Sequence, residues 1–126
     1  MSMRQTTARA GALGAAFLLI NLAACGLVER PRRLPGGHRL VQKDQFQALY
    51  GPDGRILRLL QDRNHDGRAE VVIVYGRSSR PERAEIDTDE DGAIDRWEHL
   101  RPDGSVARVD LDTNHDGRID RSDYPQ

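Results

Sequence analysis

Cysteine occurs once in the 126 residues, at Cys25, so no disulfide can form within the chain. Apolar side chains are also scarce: 37% of residues are hydrophobic and 5% aromatic, against 31% charged. A core drawn from that supply is thin. At this size one core contributes only about 3–5 kcal/mol, and cross-links or metal ions commonly supplement it. Neither charge is in excess, with 19 Lys and Arg against 20 Asp and Glu, a formal net charge of -1. No serine or cysteine nucleophile sits in a recognisable motif, and no glycine-rich phosphate loop is present. An enzyme is therefore not expected, and no small-molecule substrate. The acidic character of the C-terminal two thirds argues against nucleic acid. The uncharged stretch from Ala10 to Ala24, ahead of Cys25, is shorter than the roughly 18–20 residues a transmembrane helix needs.

What is present begins with a leader. Arg4 and Arg9 carry positive charge with no acid nearby, and the next stretch holds Leu13, Phe17, Leu18, Leu19, Ile20 and Leu22. A basic start, a short apolar stretch and small residues form a secretory signal, placed at 1–24. Leu22-Ala23-Ala24-Cys25 resembles the lipobox of bacterial lipoproteins. The resemblance implies that Cys25 receives a diacylglycerol and becomes the first mature residue, anchored in the cell envelope. Two acyl chains hold a protein stably to a membrane where one does so only marginally. Gly26 comes after the cysteine where an aspartate would resemble an inner-membrane retention signal, so the outer membrane is favoured in a cell with two membranes. Loss of Arg4 and Arg9 from a chain of net charge -1 leaves about -3 on the mature protein.

Residues 25–40 read as a flexible tether, because Pro31, Pro35, Gly36 and Gly37 discourage regular structure. Arg30, Arg32, Arg33 and Arg39 either attract anionic head groups, at about 1 kcal/mol each near the surface, or stay solvated without a partner.

Residues 41–126 form a repeat domain. Tyr50, Tyr75 and Leu100 recur every 25 residues, as do Asp62, Asp87 and Asp112. The second set opens three acidic segments, each reading acid, any, Asp/Asn, any, Asp, Gly, any, any, acid. Between them stand Gly51-Pro52-Asp53-Gly54 and Arg101-Pro102-Asp103-Gly104, both Pro-Asp-Gly turns. Gly76-Arg77-Ser78-Ser79 keeps the length in the middle repeat with different turn chemistry. The joining segments are short and rich in strand formers, Val71-Val72-Ile73-Val74-Tyr75 above all. The fold class predicted is mainly β: an antiparallel meander of three 25-residue hairpins, about six strands, with tight turns at one end and acidic loops at the other. Asp95 to Leu100 is either strand or a helical turn stopped near Pro102. The sheet is closed, stacked or open at its edges.

Clustered carboxylates repel unless a cation joins them, and Ca²⁺ takes six to eight oxygen ligands. The segments resemble the EF-hand calcium loop, with a glycine at position 6 for the sharp bend. In the second, the resemblance implies ligands from Asp87, Asp89, Asp91, the Ala93 carbonyl, Asp95 and Glu98. The third offers Asp112, Asn114, Asp116, the Arg118 carbonyl, Asp120 and Asp123, and its aspartate at position 12 resembles dockerin loops. The first offers Asp62, Asn64, Asp66, the Arg68 carbonyl and Glu70. With Ile73 at position 12, it is expected to be the weakest or to recruit an acid or water from elsewhere. Strand-flanked loops are closer to those of FG-GAP and VCBS repeats, thrombospondin type 3 repeats and the acidic repeats of bacterial surface lipoproteins. None of these implies catalysis by the loop.

The pattern supports two functional expectations. One is a membrane-anchored calcium-binding module in which the ion rigidifies a small β-domain. The other is a metal-independent scaffold or adhesion module for another envelope component, since Asp/Asn-Gly turns also close hairpins without an ion. His65 and His115, at position 4 of their loops, are expected to point outward. His38 and His99 show no ligand spacing, and Trp97 is expected to pack on the sheet.

Overall fold

The computed structural model describes residues 31–126, so the leader and Cys25 lie outside the described residues. Nine strands pair antiparallel, each with its sequence neighbours, in one sheet of order β1 to β9. They are β1 Arg32–Arg33, β2 Arg39–Lys43, β3 Phe46–Tyr50, β4 Ile56–Gln61, β5 Val71–Tyr75, β6 Pro81–Ile86, β7 Arg96–Leu100, β8 Val106–Leu111 and β9 Arg121–Asp123. The six strands read from the sequence are all present as β3 to β8. Arg96–Leu100 is strand, so the helical alternative for that segment does not hold: paired on both sides, its backbone groups bond across to β6 and β8.

Three further strands extend the sheet. The segment 25–40 read as a tether contains β1 from Arg32 and the first residues of β2. Pro35–Gly37 forms a single 3₁₀ turn in which Gly36 and Gly37 take positive φ of 74° and 79°. The residues that discourage regular structure thus make a chain reversal, and Arg33 comes to face Arg39. The β2–β3 hairpin then closes through Asp44-Gln45, a two-residue turn where later repeats carry acidic loops.

Register repeats with the sequence. Each turn at one end of the sheet is preceded by a register shift, at Leu49/Tyr50, Val74/Tyr75 and His99/Leu100. Left-handed residues come next, at Gly54, Ser79 and Gly104. The middle turn therefore reverses without Pro-Asp-Gly, Ser79 taking a positive φ of 57° where glycine stands at 82° and 86° in the others.

One cross-strand row runs Val41, Ala48, Leu59, Ile73, Ala84, Glu98, Val109 and Asp123. The next row, on the opposite face, runs Gln42, Gln47, Leu60, Val72, Glu85, Trp97, Asp110 and Ser122. Among the described residues the buried apolar side chains are only Ala48, Val72, Ala84 and Val109, divided between the two faces. A single-layer sheet has no second layer to close a core against, so most of its side chains remain half-exposed. More acids than apolar groups are buried: Glu70, Asp87, Asp95, Glu98, Asp110 and Asp112. Four of these six belong to the acidic loops.

Candidate metal centre

The loops at residues 62–70, 87–95 and 112–120 sit side by side at one end of the sheet. The Asp87 N–H donates to the Glu70 carbonyl (2.8 Å) and the Asp112 N–H to the Asp95 carbonyl (2.9 Å), so each loop begins bonded to the end of the one before. The Asp62 N–H does the same toward Gln45, which stands in for a preceding loop (2.8 Å).

Their internal geometry repeats. The first aspartate accepts from the glycine N–H: Asp62 from Gly67 at 3.0 Å, Asp87 from Gly92 at 2.7 Å, Asp112 from Gly117 at 2.7 Å. Asn64, Asp89 and Asn114 accept from the amide two residues on, at 2.9, 3.3 and 3.1 Å. Asp66, Asp91 and Asp116 accept likewise from Arg68, Ala93 and Arg118, at 2.8, 2.8 and 2.9 Å. The ninth position reaches back to the second: Glu70 accepts from Arg63 N–H (2.5 Å), Asp95 from Thr88 (3.2 Å) and Asp120 from Thr113 (3.0 Å). Position 4 is left-handed in every loop, at His65, Glu90 and His115, and position 6 is left-handed glycine. The carbonyls of Arg68, Ala93 and Arg118 accept no hydrogen bond among the described residues.

Much of this bonding is what an Asx-turn provides without any ion. The leftover oxygens differ between loops. Asp87 is 3% exposed, and its Oδ1 is buried with no hydrogen-bond partner. Asp62 Oδ1 is orphaned in the same way. Asp112 has both oxygens in use, Oδ1 accepting from Asp116 N–H at 3.2 Å. A buried acceptor left unpaired costs about 1–3 kcal/mol, and more when charged, so the first two loops carry a deficit that a cation would relieve.

The acids converge accordingly. Asp87, Asp89 and Asp91 each offer an oxygen within 4.8 Å of the others, and so do Asp62, Asp66 and Glu70. The longer Glu70 side chain, 2% exposed, brings the first loop a third carboxylate despite Ile73 at position 12. Asp112, Asp116 and Asp120 form no such group among the described residues. Asp120 is occupied instead by the amide and hydroxyl of Thr113.

Glu98 and Asp123, expected to close the second and third loops, join neither group. Each is the third residue of a strand and pairs with an arginine two residues earlier on the same face, Glu98 Oε1 with Arg96 Nη2 (2.6 Å) and Asp123 Oδ1 with Arg121 Nε (3.0 Å). A strand advances about 3.3 Å per residue where a helix rises 1.5 Å and curls back. In this sheet position 12 is therefore carried away from the loop.

His115 is exposed, as expected of position 4, and it also meets the loop before it. Its Nδ1 lies 3.6 Å from Asp89 Oδ2, and it forms a third group of facing ligand atoms with Asp89 and Asp95. The signal was in the 25-residue register, which sets position 4 of one loop beside the loop before it. Arg63 reaches Glu90 in the same manner (3.4 Å), and Arg68 covers Gly92. The middle loop, with acids at 87, 89, 90, 91 and 95, is thus flanked by Arg63 and Arg68 from the loop before it and by the His115 ring from the loop after it.

A separate charged network occupies the face of Trp97, which is half-buried between Glu85 and Asp110. Asp110 accepts from the Ser122 hydroxyl (2.7 Å) and contacts His99 Nε2 and Arg108 Nη2, each at 2.8 Å. The Ser122 hydrogen bond, then those of His99 and Arg108, outweigh burial and hold the Asp110 carboxyl below its ordinary value.

No protein-family model, curated protein or solved structure matches the chain.

Proposed function

We propose that this chain is a lipid-anchored module of the bacterial cell envelope whose acidic loops bind Ca²⁺, the ion stiffening one end of a thin sheet. The observation that carries the proposal is the buried, unpaired Oδ1 of Asp87 in a loop where Asp87, Asp89 and Asp91 face one another. All the donors there are hard oxygens, the kind that calcium takes in numbers. Asp95, bonded to the loop's own backbone, orients the curl, and the Ala93 carbonyl is free to add an oxygen. The first loop offers a second site from Asp62, Asp66 and Glu70. Affinities of about 10⁻⁴–10⁻³ M suit extracellular calcium modules, and binding only the folded form stabilises it by mass action.

The anchor rests on Cys25 within its lipobox-like sequence, and the partner implied by it is the membrane. Fractionation tests that part: Cys25→Ser should release the protein from the membrane pellet. For the loops, the full chain is titrated with CaCl₂ while thermal unfolding is monitored. A midpoint that rises with calcium and falls again with chelator is expected. A midpoint that does not move up to about 10 mM, an order of magnitude above the affinity range of such modules, would overturn the reading. One observation favours the metal-independent alternative: every loop already closes on itself, the glycine N–H donating to the first aspartate's carboxylate. On that reading the protein is a scaffold for another envelope component, and unfolding is the same with and without chelator.

A further inference from the structure

The opposite corner of the sheet carries chemistry that calcium binding does not use. A cavity of about 220 Å³ lies where the 3₁₀ turn meets the β3–β4 turn, lined by Arg33, His38 and Arg39 and by no acid. Arg33 and Arg39 are direct partners across β1 and β2. Like charges placed opposite each other in a sheet are destabilising. Four strand arginines elsewhere in this sheet meet an acid two residues on, Arg83 with Glu85, Arg96 with Glu98, Arg108 with Asp110 and Arg121 with Asp123, while Arg58 of β4 does not. After Arg33 and Arg39 the corresponding residues are Pro35 and Val41, and neither arginine has an ion pair among the described residues.

The site is also held in shape. The Arg39 guanidinium carbon lies 4.7 Å from the centre of the Tyr50 ring, a cation–π contact that restrains the side chain. Gly37 sits so close to Pro52 that a Cβ there would come within 3.1 Å of the proline ring, so the two turns seat against each other. His38 is oriented by its Nδ1 contact with the Pro35 carbonyl (3.3 Å).

We propose that this cavity is an anion site for a phosphate group, held by Arg33 and Arg39 with His38 at its rim. A carboxylate is satisfied by one guanidinium fork, whereas a phosphate has oxygens for two forks approaching from opposite strands. The phosphate comes from a phospholipid head group or from free phosphate. Arg33 stands eight residues after Cys25, so an anchored chain keeps this corner within roughly 28 Å of the bilayer, the extended reach of that segment.

The test uses the full chain carrying Cys25→Ser in a neutral detergent, observed by amide NMR during titration with sodium phosphate at constant ionic strength. Saturable shifts confined to Gly37, His38 and the Pro52 turn are expected, with Arg33→Gln and Arg39→Gln each weakening binding at least about tenfold. Arg58→Gln, which alters an arginine outside the cavity, should leave the titration unchanged. Flotation with phosphatidylglycerol vesicles separates the sources. Retention above that of the Arg33→Gln/Arg39→Gln double variant identifies a lipid phosphate, and equal flotation with intact phosphate binding identifies free phosphate. Shifts that chloride reproduces, or that persist in the double variant, sink the proposal. Should the double variant unfold, a non-saturating titration of the parent chain sinks it equally. Calcium binding is not involved in any of these readouts.

Discussion

Asp87 combines two roles in one side chain: Oδ2 ties down the Gly92 amide while Oδ1 is buried and unpaired. Asp87→Asn keeps an acceptor for that amide and removes the charge. It is expected to leave the fold intact but weaken calcium binding more than about tenfold, read by isothermal calorimetry. Gly92 has a φ of 92° and lies under the Arg68 side chain, so Gly92→Ala is strained in backbone and space alike. It should cost about 1–3 kcal/mol in denaturant unfolding, with or without calcium. Asp110 sets an acid limit on stability. Its carboxyl is held below its ordinary value, chiefly by the Ser122 hydroxyl, so the folded state binds that proton less readily than the unfolded state. The stabilisation is complete at neutral pH and is lost as pH falls from about 4 through the lower folded value. Ser122→Ala should shift the onset of acid unfolding to higher pH, and Asp110→Asn should flatten that limb.

A loop pattern met in EF-hands acquires different geometry when strands flank it. The spacing of Asp, Asn and Glu at positions 1, 3, 5 and 9 is local, and the same backbone-to-side-chain bonds recur in all three loops. Position 12 depends on the conformation of the segment leaving the loop, and an extended chain places it on the sheet beside an arginine. Glu98→Gln should therefore change calcium affinity less than about twofold while lowering stability by about 1 kcal/mol through the loss of its Arg96 partner. A loss of affinity matching that of Asp87→Asn would show that Glu98 returns to the loop when the ion binds. The turns at the other end behave in a related way. Pro-Asp-Gly was legible at 51–54 and 101–104, yet Ser79 adopts the same left-handed position without it, because the shared strand register demands that reversal.

The described residues form a sheet one layer deep, and among them every strand-to-strand contact of weight joins consecutive strands. Such an array behaves as a chain of nearest-neighbour couplings, strongest in the middle and weakest at its ends. Amide exchange should be slowest in β4 to β7 and fastest in β1 and β9, and calcium should slow it most at the acidic-loop end. Uniform protection across all nine strands would mean that a second layer forms in solution. Val72, among the few buried apolar side chains, tests how much so thin a core contributes: Val72→Ala should cost about 1.5 kcal/mol. Calcium should offset that loss if loop and sheet are coupled through β5.

The 25-residue period determined by itself the hairpin unit, the end of the sheet to which the acids go and the oxygen-rich character of each loop, because turn chemistry and strand alternation are local. Tertiary structure decided the rest. It decided that β1, β2 and β9 join the sheet, since strand pairing depends on partners remote in the chain. It also decided that Glu98 points along the sheet and His115 reaches into the neighbouring loop, because both outcomes arise from how strands stack side by side. The same stacking leaves Asp87 with a buried unpaired oxygen while Asp112, in nearly the same sequence, is satisfied by its own loop.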